Sequence, residues 1–294
     1  MKKNFFVLIF LCIFLSSCVT LSEKHDFVFE NEFDYIPNEF VWDDVTDEIK
    51  YSKVEFPEST LIYHLVRIDL SSTDIQIVDY VSDKKENKNK GMLVDKFGKE
   101  TGAVVCINTS PFNVDNRLSL KCWWLPSKFK NAGIHISEGE IFSPAVEKYS
   151  ALAFFVDRNT NSDFGEMQYR AEIFEKQTDF KNAEFVFGGF YSILRDGKKQ
   201  NFPSNIYDSR TAVGISEDGK ILYLLVVEGE NQKKSIGLSY PYCADIFLAL
   251  GCDDAMQFDG GGSSGMYVNG KNVMSYKPGI KTASLMGIKI QTSP

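Results

Sequence analysis

From residue 61 to residue 290 the hydrophobic positions fall in short runs separated by turn residues, which is the pattern of a chain built mainly from strands. Residues 61–70 alternate, with Ile62, His64, Val66, Ile68 and Leu70 on one face, and residues 75–81 are predicted to be the partner strand. Hairpin turns are predicted at Glu138-Gly139, Asp196-Gly197, Asp218-Gly219 and Asn269-Gly270, because each pair can supply the positive φ of a tight turn between apolar runs. Helical spacing is confined to residues 92–101, ended by Gly102, and to a segment opened by Pro241 and ended by Gly251. The expected fold class is therefore α+β: a mixed, strand-rich sheet core with a few flanking helices, forming a single domain over residues 59–294.

The first 58 residues follow a different pattern. Lys2 and Lys3 precede eleven apolar residues from Phe5 to Leu15, too few to span a bilayer and suited to the core of a signal peptide. The run ends in Leu15-Ser16-Ser17-Cys18, which resembles a bacterial lipobox. The expectation is a signal peptide over 1–17 and a lipidated, palmitate-bearing Cys18 that anchors the protein to a membrane in the cell envelope, on its periplasmic or outer-surface side. A plain secretory signal is the alternative, and either one makes the mature protein extracytoplasmic. Residues 18–58 are rich in acid and interleaved with aromatics, so they read as an acidic tether whose later half packs on the domain.

Charge and cysteine content narrow the function classes. The 294-residue chain carries 32 Lys+Arg against 40 Asp+Glu, a formal charge of −8 that becomes −10 once Lys2 and Lys3 leave with the signal. No basic cluster exists to neutralise phosphates along a strand, which argues against a nucleic-acid partner. Of six cysteines, one leaves with the signal and Cys18 is the anchor, so Cys106, Cys122, Cys243 and Cys252 remain. Four thiols allow three pairings. Cys243 and Cys252 lie too far apart to bond if the helix between them is regular.

Candidate chemistry collects in four separated places. Asp259-Gly260-Gly261-Gly262-Ser263-Ser264 follows a short apolar strand. Three glycines there are costly to order and imply that the backbone comes close to something. Their N–H groups, with the Ser263 and Ser264 hydroxyls, could form an anion-binding nest, and Asp259 stands at the strand end as a candidate catalytic carboxylate. A purely structural turn is the competing reading. Neither a Walker loop nor a dinucleotide fingerprint fits, since no Gly-Lys-Ser/Thr follows and no helix opens. The other three places are Asn108-Thr109-Ser110-Pro111-Phe112 at a strand end, Arg210-Thr211-Ala212-Val213-Gly214 at a strand start, and Glu228-Gly229-Glu230 after an apolar strand.

In order and spacing these motifs resemble those of the phosphodiester glycosidase family, whose pattern has a strand ending in Asn-Gly-Ser-Phe-Phe, then Arg-Thr-Ala-Val-Gly, a strand ending in Asp-Gly, a helix, and Asp-Gly-Gly-Gly-Ser-Ser. The resemblance covers about residues 60 to 294. Thr109 stands for the family's Gly, Pro111 for its first Phe, Glu228 for its Asp, and Lys281 where arginine is more usual. The resemblance implies a hydrolase that cleaves a sugar-1-phosphate phosphodiester in a glycan or envelope polymer. Glycoside hydrolysis commonly uses two carboxylates, and the pair implied here is Asp259 with Glu228, with Glu230 as substitute. Arg210 and the glycine loop would hold the phosphate, and Asn108 a sugar hydroxyl. A strand-end ion pair is the competing role for Arg210. A non-catalytic carbohydrate-binding lipoprotein of the same fold is the alternative function.

No cofactor is implied, and a calcium ion on loop oxygens stays open. His25, His64 and His135 lack the spacing of zinc ligands. His135 is expected to be a satisfied structural histidine, and Trp123 and Trp124 serve either a sugar face or the core.

Overall fold

The computed structural model describes residues 34–115, 127–158, 167–178, 180–202 and 206–291. In chain order its elements are β1 (Asp43–Asp44), β2 (Ile49–Phe56), β3 (Leu61–Asp69), β4 (Ile75–Tyr80), α1 (Val94–Thr101), β5 (Val105–Asn108), β6 (Phe112–Asp115), β7 (Lys128–Asn131), β8 (His135–Ser137), β9 (Glu140–Ser143), β10 (Ala151–Arg158), β11 (Met167–Phe174), β12 (Phe185–Gly188), β13 (Ser192–Arg195), β14 (Lys198–Lys199), β15 (Arg210–Ile215), β16 (Ile221–Val227), α2 (Tyr240–Ala249), β17 (Asp254–Gln257), β18 (Met266–Val268), β19 (Lys271–Asn272) and β20 (Leu285–Ile290). An eight-stranded sheet runs β1-β2-β3-β16-β15-β17-β13-β14. Two five-stranded sheets run β11-β10-β12-β8-β9 and β19-β18-β5-β20-β4, and β6 pairs with β7.

The expected α+β balance is corrected to a mostly-β fold: only two α-helices occur among the described residues, and the strand pairs there are antiparallel. The expected pairing of residues 61–70 with 75–81 is also corrected. β3 lies between β2 and β16, whereas β4 leaves for another sheet and pairs with β20. The reason is burial on both faces. Val66 and Ile68 enter a large core shared with the other sheets, while Leu61, Tyr63 and Leu65 enter a second core beneath α2. A strand covered on both sides needs apolar residues at nearly every position, so alternation within residues 61–70 carried no information about its neighbour.

The fold also begins earlier than residue 59. β2, inside the stretch read as tether, pairs with β3 along its whole length, and Tyr35, Ile36, Phe40 and Trp42 pack on the second core. Cys18 and the signal region lie outside the described residues, as do Cys122, Trp123 and Trp124.

The punctuation of the sequence appears as written. Gly102 caps α1 at φ 70°, Pro241 stands in the first turn of α2, and Glu138-Gly139, Asp196-Gly197 and Asn269-Gly270 all take positive φ in their hairpins. α2 lies close on the sheet because Gly214 of β15 has no side chain: a β-carbon there would collide with the Phe247 ring and come within 2.8 Å of Cys252 Sγ. Cys106, Cys243 and Cys252 are free and buried, and burial pushes all three thiols up, Cys243 to about 11.

Candidate active site at the end of the large sheet

Strands β15, β16 and β17 place the candidate residues at one end of the large sheet. β15 starts there with Arg210, while β16 and β17 end there and lead into Glu228 and Asp259. The glycine loop crosses this end and forms a short 3-10 turn over Gly261–Ser263. It lies so close that a β-carbon on Gly260 would come within 2.8 Å of the Ser209 carbonyl oxygen, and one on Gly262 within 2.6 Å of Ile280 Cδ1. The glycines therefore serve close passage of the backbone. Most of the loop's N–H groups are used inside the protein. Gly261 donates to the Ser209 carbonyl at 2.9 Å, Ser263 to Gly260 at 3.3 Å and Ser264 to Gly261 at 3.0 Å, while Gly265 donates to Asn108 Oδ1 at 3.2 Å. The open nest expected from the sequence is thus largely closed. Ser264 Oγ is buried with no hydrogen-bond partner.

Asn108 holds these elements together. Its Nδ2 donates to the Asp259 carbonyl at 2.7 Å and its Oδ1 accepts from Thr211 Oγ1 at 2.8 Å, and the residue is fully buried. Three of its contacts are structural, so orienting a sugar hydroxyl is not what occupies it.

Arg210 lies on the α2 face of the sheet. Its guanidinium stacks over the Tyr240 ring at 4.6 Å, Nε donates to the Leu238 carbonyl at 2.8 Å and Nη2 to the Ile206 carbonyl at 2.6 Å. Its Nη1 points to the position above Gly260, 3.8 Å from where a β-carbon would stand. Asp259 belongs to the same face, since Ala255 of its strand packs on the α2 core and alternation returns to that face at residues 257 and 259. Arg210 and Asp259 both act electrostatically on the Tyr240 hydroxyl. Burial raises the Asp259 carboxyl to about 6, against the opposing pull of hydrogen bonds from Ser263 and the Gly260 N–H.

Glu228 faces the other way. Alternation on β16 puts it with Val226, toward the large core. There its Oε1 accepts from His64 Nε2 at 2.8 Å and from the Ser275 N–H at 2.7 Å, and its Oε2 accepts from the Ser275 hydroxyl. His64 Nδ1 in turn meets the Tyr51 hydroxyl at 2.8 Å. Because a carboxylate can only accept, Nε2 is the imidazole's donor to Glu228, and in the neutral ring Nδ1 accepts a hydrogen bond from the Tyr51 hydroxyl. Burial pushes the Glu228 carboxyl up, but the His64 and Ser275 hydrogen bonds outweigh it and hold the group below its ordinary range. At 1% exposure, with Ser275 between it and water, Glu228 is buried structure. The pair Asp259 and Glu228 does not converge on one cleft.

Glu230 is the exposed carboxylate of the motif. Its Oε2 lies 3.7 Å from the β-carbon position of Gly262, and its Oε1 is 3.5 Å from Ser209 Oγ. Asp259 and Glu230 therefore flank the glycine loop. Tyr276 stands beside Glu230, with its hydroxyl pushed up to about 12 chiefly by burial and without a well-formed hydrogen bond, although Ser209 is adjacent. Sequence reasoning missed Tyr240, Ser275 and Tyr276, since nothing in a single chain shows that a helix start and a distant loop meet a glycine turn.

Other candidates resolve into structure. His135 is fully buried and bonded to Asp79 Oδ2 at 2.7 Å and Asn131 Nδ2 at 3.2 Å, tying β8 to β4 as a satisfied histidine. Asp196, Asp253 and Asp254 bring carboxylate oxygens within 4.8 Å of one another at the opposite end of β17, but Arg195 already pairs with Asp254 at 2.8 Å. No helix among the described residues is long and apolar enough to cross a membrane.

The fold and the sequence are both similar to those of known proteins. A solved zebrafish N-acetylglucosamine-1-phosphodiester alpha-N-acetylglucosaminidase catalytic domain, auto-inhibited by its pro-peptide, superposes with a TM-score of 0.56 at 16% identity, covering 85% of this chain and 87% of that one. A hypothetical protein from Synechocystis superposes with a TM-score of 0.62 at 12% identity, covering 86% of this chain and 64% of that one. Among curated proteins, the SPbeta prophage-derived uncharacterized protein YomE of Bacillus subtilis (strain 168) is 27% identical over 164 residues, which make up 51% of this chain and 24% of YomE. The chain thus spans about a quarter of that relative's length. Residues 101–287, which include Asn108, Arg210, Glu228, Glu230 and the glycine loop, match the model of the phosphodiester glycosidase family, and the chain belongs to that family.

Proposed function

We propose that the protein is a hydrolase that cleaves the bond between an anomeric carbon and phosphate in a sugar-1-phosphate phosphodiester, carried by a glycan or envelope polymer. The observation that carries this reading is that Arg210, Asp259 and the glycine loop lie at the same end of one sheet in a chain of this family. Water would add to the anomeric carbon as its bond to the phosphate oxygen breaks, giving a free sugar and a phosphomonoester. Phosphate is a good leaving group, so the greater need is a carboxylate on the sugar side. Asp259, ionised above about pH 6, is placed for that, with Glu230 as the second carboxylate and Arg210 Nη1 on the phosphate. Glu228 instead holds the loop at Ser275. An anionic substrate must be recognised against a net negative protein, which makes this one guanidinium important.

Incubating the full chain with a panel of sugar-1-phosphate diesters tests the reading. Cleavage that disappears in Asp259→Asn supports it. Binding without cleavage would favour a non-catalytic carbohydrate-binding lipoprotein. We also propose anchoring through a lipid on Cys18, with the domain in the cell envelope on its periplasmic or outer-surface side. Cys18→Ser should move the protein from the membrane to the soluble fraction, and an unchanged distribution would refute the anchor.

A further inference from the structure

Arg210 stands at one end of a continuous row of aromatic side chains. Tyr240, which carries its guanidinium, meets Phe202 with ring centroids 5.3 Å apart. Phe202 meets Tyr191 at 6.0 Å, Tyr191 meets Phe190 at 6.2 Å, and Tyr149 closes the row at 5.3 Å from Phe190. None of the five is fully buried, Tyr191 is 42% exposed, and Tyr149, Phe190 and Tyr191 belong to none of the hydrophobic cores. Phe202 and Tyr240 pack on the margin of the second of these cores.

The backbone nevertheless fixes them to the strand that ends in Asp259. The Phe190 N–H donates to the Gln257 carbonyl at 2.8 Å, and the Gln257 N–H donates to the Tyr191 carbonyl at 2.9 Å. The Ser150 N–H donates to the Phe190 carbonyl at 3.1 Å, which places Tyr149 next to them. A pre-positioned aromatic surface with tyrosine hydroxyls at its margin, continuous with a cationic group, suits a ligand that alternates apolar C–H faces with hydroxyls and ends in an anion.

We infer that this row is a stacking subsite for the sugar rings of an oligosaccharide or polymer whose phosphodiester reaches Arg210. The inference deepens the proposed function and rests on it for the position of the phosphate. It assigns the substrate as longer than a monosaccharide diester, because the row extends beyond one ring.

The test uses the full chain, wild type and Tyr191→Ala, with methyl phosphodiesters of malto- and chito-oligosaccharides of one to four sugars, and the same oligosaccharides without phosphate in saturation-transfer NMR. In at least one series, affinity should rise with length in the wild type. Tyr191→Ala should lose about tenfold for the longest ligand, about 1.4 kcal/mol, and less than twofold for the monosaccharide, and Tyr191→Trp should restore binding. Cleavage without length dependence leaves the hydrolase reading standing and overturns the subsite. Length-dependent binding without cleavage does the reverse. Equal losses at every length, no binding by either series, or a change of oligomeric state in Tyr191→Ala, which would assign the face to a second copy of the chain, each overturn the inference. Tyr149→Ala serves as the second variant if Tyr191→Ala melts early.

Discussion

Replacing His64 by Leu should destabilise the protein through a charge left behind. In the native chain the Glu228 carboxylate is fully buried and neutralised by hydrogen bonds from His64 Nε2 and from both the N–H and the hydroxyl of Ser275. His64→Leu removes the one donor that comes from the interior and leaves the Tyr51 hydroxyl without its acceptor. Removing a hydrogen-bond donor from a buried charge costs about 1.5–3 kcal/mol, because the charge keeps its desolvation penalty. For a domain of this size that is a fall in melting temperature of roughly 3–12 °C. Replacing both residues by Leu removes the charge as well, so the double variant should lose at least about 1 kcal/mol less than the two single losses added together, the coupling of residues in one hydrogen-bond network. The sign with pH is fixed too. The folded carboxyl of Glu228 is held below its ordinary value, so its contribution is complete above the unfolded pKa and is lost as pH falls through the lower folded pKa. Guanidinium titrations of the four proteins at neutral and acid pH would measure all of this. A single-variant loss under about 1 kcal/mol, or strict additivity, would refute a buried ionised Glu228 that holds the site together.

Three further outcomes follow from the site. Asp259 has the opposite linkage: its folded carboxyl is raised to about 6, so its contribution is favourable below the unfolded pKa and is lost as pH rises through about 6. Asp259→Asn should therefore stabilise the protein at pH 8 by about 1–3 kcal/mol while lowering turnover by at least about a hundredfold, and no gain in melting temperature at pH 8 would show that burial does not strain this carboxyl. Arg210→Ala should weaken diester substrates by about ten- to a hundredfold, the loss of a charged hydrogen bond, and leave uncharged glycosides nearly unaffected; equal losses on both would remove the phosphate role. Gly260→Ala must displace the loop from the Ser209 carbonyl, so it should lose activity with a folded circular dichroism spectrum, and wild-type turnover would show that close passage is not required.

The legible parts of the sequence were those governed by local physics. Gly102 and Gly251 ended helices, and Glu138-Gly139 and Asn269-Gly270 turned hairpins, because positive φ is a property of the residue itself. Partner choice was not legible. β3 and β4 are consecutive and connected by a short turn, yet they join different sheets, since β3 is buried on both faces and its pattern does not say which strand lies beside it. Mostly-β architecture differs from the α+β expectation for the same reason: two clear helical segments stood out, while several strands of two to four residues were too short to carry a period.

The candidate site shows the same division more sharply. Each motif was visible, but sequence order could not say which carboxylate shares a face with Arg210. The deciding quantity is the parity of positions along β16 and β17: one residue beyond Val227 turns Glu228 toward the large core, and two beyond Gln257 return Asp259 to the face of α2. Glu230 escapes the rule because Gly229 breaks the strand against Ser209, and it comes out beside Gly262. The glutamate that best matches the family pattern is thus the one whose oxygens are already taken, and the neighbour two residues on is the exposed one. The pairing yields a prediction for each: Glu228→Gln should alter stability more than turnover in whatever protein remains folded, and Glu230→Gln turnover more than stability.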